Sequence, residues 1–292
     1  MPIDSLSEPL PALASFLDPV LSPIGTALAS LLGHDSALSS APHLLPLLLV
    51  AAFLAGLVDA IVGGGGLIQL PALMLMPGLA PVTALATNKL AGLAGTASAA
   101  LAYGRRTRFQ VRTAAPAVAL AFLGALAGAL LATRVPSSTF TPIVIAALCV
   151  VLVITLTRPR LFSSVRRALP GRSFLRRILP TSALIGVYDG FIGPGTGSFL
   201  LMALIGAGRM PVLAATSLSK LVNAATNLGA LLLFSGQGVL DWRLGLIMAA
   251  ANVAGAQTRA RWAIRVGAGL IRGVLIVVVL ALILVLVRRS FA

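Results

Sequence analysis

Residues 56–71 read GLVDAIVGGGGLIQLP, an apolar run carrying one acid, Asp59, and then four consecutive glycines, Gly63–Gly66. The run begins at Leu44 and resumes after the glycines as LIQLPALMLM, residues 67–76. A helix rises 1.5 Å per residue and a bilayer core is about 30 Å thick, so residues 44–76 are too long for one crossing and too short for two. A helix, a glycine break and a half-helix is the economical solution. The pattern recurs at residues 186–201, GVYDGFIGPGTGSFLL, again with one acid, Asp189, ahead of a glycine cluster.

Composition agrees with a membrane protein. The 292 residues are 58% hydrophobic and only 10% charged, with a mean hydropathy of +1.03, whereas soluble domains carry about 25% charged residues. The net charge of +15 would suit nucleic acid, but the basic residues lie between long apolar stretches, which points to loops on an anionic bilayer and to no nucleic-acid partner. A single cysteine, Cys149, excludes a disulfide framework within the chain and a thiolate-cluster metal site, and two histidines, His34 and His43, leave little for imidazole chemistry. No metal or cofactor is expected.

The apolar stretches predict an all-α, polytopic transmembrane bundle. Spans are expected at 44–62, 83–103, 113–133, 140–157, 211–234, 242–262 and 266–287, with a shorter run at 179–192 and half-length runs at 67–76 and 198–206. Arg105, Arg106, Arg108 and Arg112 in one loop, and seven arginines between Arg158 and Arg177 in another, place both loops in the cytoplasm by the positive-inside rule. For the second half, arginine counts are balanced between a re-entrant 179–208 and a single crossing. The re-entrant path is preferred because it makes the halves inverted, as alternating-access carriers often are.

The expected organisation is an N-terminal amphipathic segment (1–43), a first transmembrane repeat (44–157), a basic cytoplasmic loop (158–178), a second repeat (179–287) and a short tail (288–292). The first segment has a helix-period leucine stripe from Leu10 to Leu31, broken by Pro19 and Pro23, and lacks the basic start of a signal peptide. A plasma (inner) membrane location follows, and a homodimer is one possible assembly.

The repeat is carried by spacing. Gly56, Asp59, Gly63, Gly65 and Pro81-Val82 recur 130 positions later at Gly186, Asp189, Gly193, Gly195 and Pro211-Val212, and after one inserted residue Lys89-Leu90 matches Lys220-Leu221. Lys89 and Lys220 are the only lysines beside twenty arginines. Each lies in a polar stretch of an apolar helix, ALATNKLAG (84–92) and AATSLSKLVN (214–223). A lysine there costs roughly 2.5–3.5 kcal/mol and marks a functional site or a buried pair.

This pattern over residues 44–287 resembles the sulfite exporter TauE/SafE family of membrane permeases. The resemblance implies movement of sulfite, organosulfonates or related small sulfur-containing anions. Glycine breaks free backbone amides at the start of a half-helix, where an anion is favoured. The candidate substrate-binding residues are therefore Gly64, Gly65, Gly66, Asn88 and Lys89 in the first half, and Gly195, Thr196, Gly197, Ser219, Lys220 and Asn223 in the second. Asp59 and Asp189 are candidate coupling or structural acids. As structural partners they would pair within their own halves, Asp59 with Lys89 and Asp189 with Lys220. As coupling groups they would take up a proton when an anion draws the lysine away.

Plainer roles compete at several positions. Gly124 and Gly128, in GALAG, read as helix-packing residues. Cys149 reads as packing or lipid-facing, and Tyr188 as an aromatic packing residue. A secondary transporter of small anions is the leading function. An anion channel is the alternative, and an intramembrane enzyme using the two aspartates is weaker: neither acid has a nucleophile or metal partner nearby, and no Walker motif is present.

Overall fold

The computed structural model describes residues 37–39, 41–105, 107, 111–157 and 171–291. The leucine stripe of residues 10–31 and most of the 158–178 loop lie outside them. Among the described residues, short 3-10 turns at Ala37–Ser39 and Pro42–Leu44 are followed by nine α-helices. These are α1 (Leu45–Val62), α2 (Gly66–Met74), α3 (Pro81–Gly104), α4 (Val111–Ala132), α5 (Ser137–Thr157), α6 (Gly171–Phe191), α7 (Thr196–Gly206), α8 (Val212–Gly236) and α9 (Trp242–Phe291). No strand occurs among the described residues.

The bundle is apolar outside and polar at its centre. Leu47, Val50, Leu123, Val153, Leu184, Leu232 and Leu280 are exposed, whereas Lys89 and Lys220 are each 1% exposed. Water would favour the reverse, so the outer surface is a lipid face and the centre a shielded site. Stretches Pro42–Ile61, Ala114–Ala132, Ser137–Ile154 and Val212–Gly236 are long and apolar enough to cross a bilayer. Helix α3 has the length, but Thr87, Asn88, Lys89 and Thr96 make it more polar.

The first broken helix enters and leaves by one end. The Asp241 carboxylate, just before α9, accepts the Ala37 N–H at 3.0 Å, so α1 and α9 start together. Gly245 packs on Leu90, and the Asn252 side chain packs at Gly95, so α9 starts out parallel to α3. Helix α2 therefore returns to the end where α1 began. Helix α3, 24 residues long, then runs about 36 Å to the opposite end. There α4 starts, and it runs back alongside α6: Gly124 abuts the Ala183 carbonyl and Gly128 the Val187 carbonyl, while Gly186 and Gly190 abut the carbonyls of Ala121 and Ala125. Gly124 and Gly128 are thus packing residues, as expected. Gly208, just after α7, packs on Phe174 and Ile178 in the opening turns of α6. The second broken helix is re-entrant and comes from the face opposite the first.

Two expected boundaries are corrected. Helix α6 begins at Gly171 rather than near 179. Arg172, Arg176 and Arg177 are exposed while Phe174 and Ile178 are buried; this helical spacing turns what read as loop into an amphipathic first turn. Helical structure is assigned continuously from Trp242 to Phe291, and it includes most of the 288–292 tail. Leu286 lines a cleft with Pro81 and Ser137, so the chain reverses direction after Asn252 and the far part of α9 returns to the end at which α9 started, as separate spans at 242–262 and 266–287 require.

Candidate functional site

Helix α1 ends because Gly63 turns left-handed, with φ at 85°, while its N–H still bonds the Asp59 carbonyl at 3.0 Å. Helix α6 ends the same way at Gly193, φ 90°, and Gly195 at φ 80° leads into α7. Left-handed backbone is nearly free only for glycine. The two breaks meet backbone to backbone: the Ser198 N–H donates to the Gly63 carbonyl at 2.9 Å. A Cβ on Gly63 or Gly197 would overlap the other's main chain.

Charged residues cross this junction. Lys89 Nζ, from α3, lies 2.8 Å from Asp189 Oδ1 on α6, and Lys220 Nζ, from α8, lies 2.9 Å from Asp59 Oδ2 on α1. Lys220 also donates to the Asp59 carbonyl oxygen. The expected pairs within halves are therefore wrong, and each lysine serves the acid of the other half. Antiparallel entry of the two broken helices explains it, since each break lies against the polar helix of its opposite number. The acids also cap: Asp59 Oδ1 accepts the Gly65 N–H at 3.4 Å, and Asp189 Oδ1 accepts the Thr196 hydroxyl at 2.6 Å. Gly193 must lack a side chain because the Lys89 ammonium fills that space.

A cavity of about 30 Å³, measured as space open to the centre of a water molecule, lies at the junction; this is room for about two waters. Its wall includes Asp59, Gly65, Gly66, Asn88, Lys89, Asp189, Gly195, Thr196, Gly197 and Asn223, all singled out from the sequence. Gly64, Ser219 and Lys220 are not on that wall. The Gly64 carbonyl accepts the Leu67 N–H, the Ser219 hydroxyl donates to the Thr216 carbonyl at 3.1 Å, and Lys220 is turned to Asp59. Sequence reasoning missed Gln69, Gly92, Thr96 and Asn252 on the wall. The signal was present for two of them: Gln69 and Asn252 are carboxamides in apolar stretches, LIQLPALM (67–74) and LIMAAANVAGA (246–256).

Nearby, Tyr188 packs edge-on against Phe199, ring centres 5.4 Å apart, and its hydroxyl donates to the Pro194 carbonyl at 2.7 Å. It braces the second break. Cys149 is exposed on the outer surface of α5. No group of three or more His, Cys, Asp or Glu suited to a metal occurs among the described residues.

An apolar shell, a bundle of helices and a shielded polar junction between two broken helices define a multi-pass membrane protein built around a central site. Residues 48–286 match the family described as Sulfite exporter TauE/SafE, and the chain belongs to that family. It is 39% identical to "Probable membrane transporter protein ORF9" of Sinorhizobium sp over 82% of this chain and 91% of that one. It is 37% identical to "Probable membrane transporter protein YfcA" of Escherichia coli K12 over 81% of this chain and 87% of that one. A "Probable membrane transporter protein" of Haemophilus influenzae is 34% identical over 80% and 91% of the two chains. No solved structure matches. These likenesses place the chain among membrane transport proteins.

Proposed function

We propose that this protein is a secondary transporter of small sulfur-containing anions, sulfite or organosulfonates, working in the plasma membrane. The observation that carries the reading is the crossed pair of lysine–aspartate bridges around a polar cavity where two half-helices begin. The amides opening α2 and α7 supply partial positive charge, and Lys89 supplies a full one at the cavity wall. An anion that draws Lys89 from Asp189 loosens a tie between the two halves. Binding and movement are then one event, as a carrier requires.

The family supports the anion class, and the relatives' names support transport. The small cavity between hairpins returning to opposite faces favours a carrier over a channel. It also favours a transporter over an enzyme, because the two acids are occupied by lysines and caps rather than facing each other as a dyad.

The test is uptake by purified protein in liposomes, with sulfite, sulfate, thiosulfate, taurine, sulfoacetate and acetate, each with and without a proton gradient. Saturable uptake with counterflow of a sulfur oxyanion is expected. Acetate carried as well as the sulfur anions would overturn the substrate class, and flux without saturation or counterflow would make the protein a channel.

A further inference from the structure

Gln69, in the second turn of α2, is 1% exposed and lies on the cavity wall. A glutamine amide has one acceptor oxygen and two donor hydrogens. The oxygen is engaged, since Asn252 Nδ2 on α9 donates to it at 2.6 Å. The Nε2 is buried and has no partner among the described residues. Asn252 comes this close because of two glycines: a Cβ on Gly56 would overlap its backbone carbonyl, and one on Gly95 would overlap its Oδ1. The pair joins the two halves and has no symmetry-related copy. The position 130 after Gln69 is Phe199, and that 131 before Asn252 is Ala121.

Charge makes this donor important. Asp59, Asp189 and Lys89 are on the wall, and Lys220 sits against Asp59. With Lys220 bound to Asp59 and Lys89 to Asp189, the two acids and two lysines cancel, so an anion meets a site of no net charge. Neutral donors must supply much of its hold, and an unpaired buried donor gains the most from an anionic acceptor.

Resting on the anion-transport reading, we propose that Gln69 Nε2 donates directly to an oxygen of the bound oxyanion and helps set selectivity. Asn252 is its positioning residue. By holding Oε1, it turns the donor end of the amide, rather than the carbonyl, to the ligand.

The test is calorimetric binding of methanesulfonate, which stays anionic across the working pH range, and of sulfite to the purified full-length protein. Gln69→Met keeps the length but removes the donor; affinity should fall roughly tenfold to a hundredfold. Gln69→Glu should bind methanesulfonate poorly at neutral pH and regain affinity as pH is lowered, because a protonated carboxyl donates again. Asp59, Asp189 and Lys89 face the same cavity, so the profile is read against that of the wild type, and a packing role alone would leave the two profiles parallel. Asn252→Asp offers an acceptor to Gln69 Nε2 and should turn the amide around, with a loss like that of Gln69→Met. Wild-type affinity in folded Gln69→Met overturns this proposal and leaves the anion reading standing. If Gln69→Met does not assemble, the pH series on Gln69→Glu decides, and a profile parallel to that of the wild type overturns the proposal. Wild-type protein that neither binds nor exchanges either anion overturns both.

Discussion

Lys89 and Asp189 sit 2.8 Å apart although one hundred residues separate them, and Lys89 leaves Asp59, only 30 residues away, to Lys220. The two bridges tie α3 to α6 and α8 to α1. Each is buried, and breaking a buried pair by removing one partner costs roughly 3–5 kcal/mol, much of it from stranding the other charge.

The two lysines should therefore behave differently. Lys89→Ala should weaken anion binding roughly tenfold to a hundredfold, because Lys89 lines the cavity. Lys220→Ala should chiefly lower stability. In each case the compensating acid lies in the other half: Asp189→Asn should restore stability to Lys89→Ala, and Asp59→Asn to Lys220→Ala. Thermal unfolding of single and double variants in detergent checks this. Rescue of Lys89→Ala by Asp59→Asn instead would contradict the crossed pairing.

Gly195→Ala tests the second break. Alanine at φ 80° is strained by about 1–2 kcal/mol, and its Cβ would press on the Val151 side chain of α5. Uptake should be lost at normal membrane insertion. Val151→Ala in the same chain should recover part of it by relieving the steric share and leaving the backbone strain. Full recovery would mean that the left-handed turn matters little.

The acids can be separated into cap and coupling roles through pH. Asparagine at 59 or 189 still accepts a hydrogen bond from Gly65 or Thr196 but cannot titrate. We expect Asp59→Asn and Asp189→Asn to alter the pH dependence of liposome uptake more than the ranking of substrates. An unchanged pH profile in both variants would leave the acids as structural caps and bridge partners.

Sidedness is checked by labelling. Thr107 lies between α3 and α4, and Ser173 is exposed in the first turn of α6. Single cysteines there, in a Cys149→Ser background, should resist an impermeant thiol reagent in intact cells and react in inverted vesicles. Reaction in intact cells would reverse the orientation.

The broken helices were legible because a glycine cluster after an interior acid is a local signal, and its recurrence 130 positions later made it hard to dismiss. Packing at Gly124 and Gly128 was legible for the same reason. Pairing was not: Asp59 to Lys89 and Asp189 to Lys220 are nearly equal intervals, and equal intervals do not say which helices touch. The start of α6 was hidden by its arginines, whose density reads as loop until Phe174 and Ile178 are seen on one face. Gln69 and Asn252 were overlooked because neither is repeated in the other half, and the repeat directed attention to residues that are.

Crossed bridges also set conditions on biogenesis. A ribosome delivers Lys89 into the membrane one hundred residues before Asp189 exists, and Asp59 precedes Lys220 by 161. Until α6 and α8 arrive, the nascent first half holds an ammonium and a carboxylate whose final partners have not been made. A truncated chain ending after α5 carries the same mismatch permanently, and two separately expressed halves would stabilise each other only when made together.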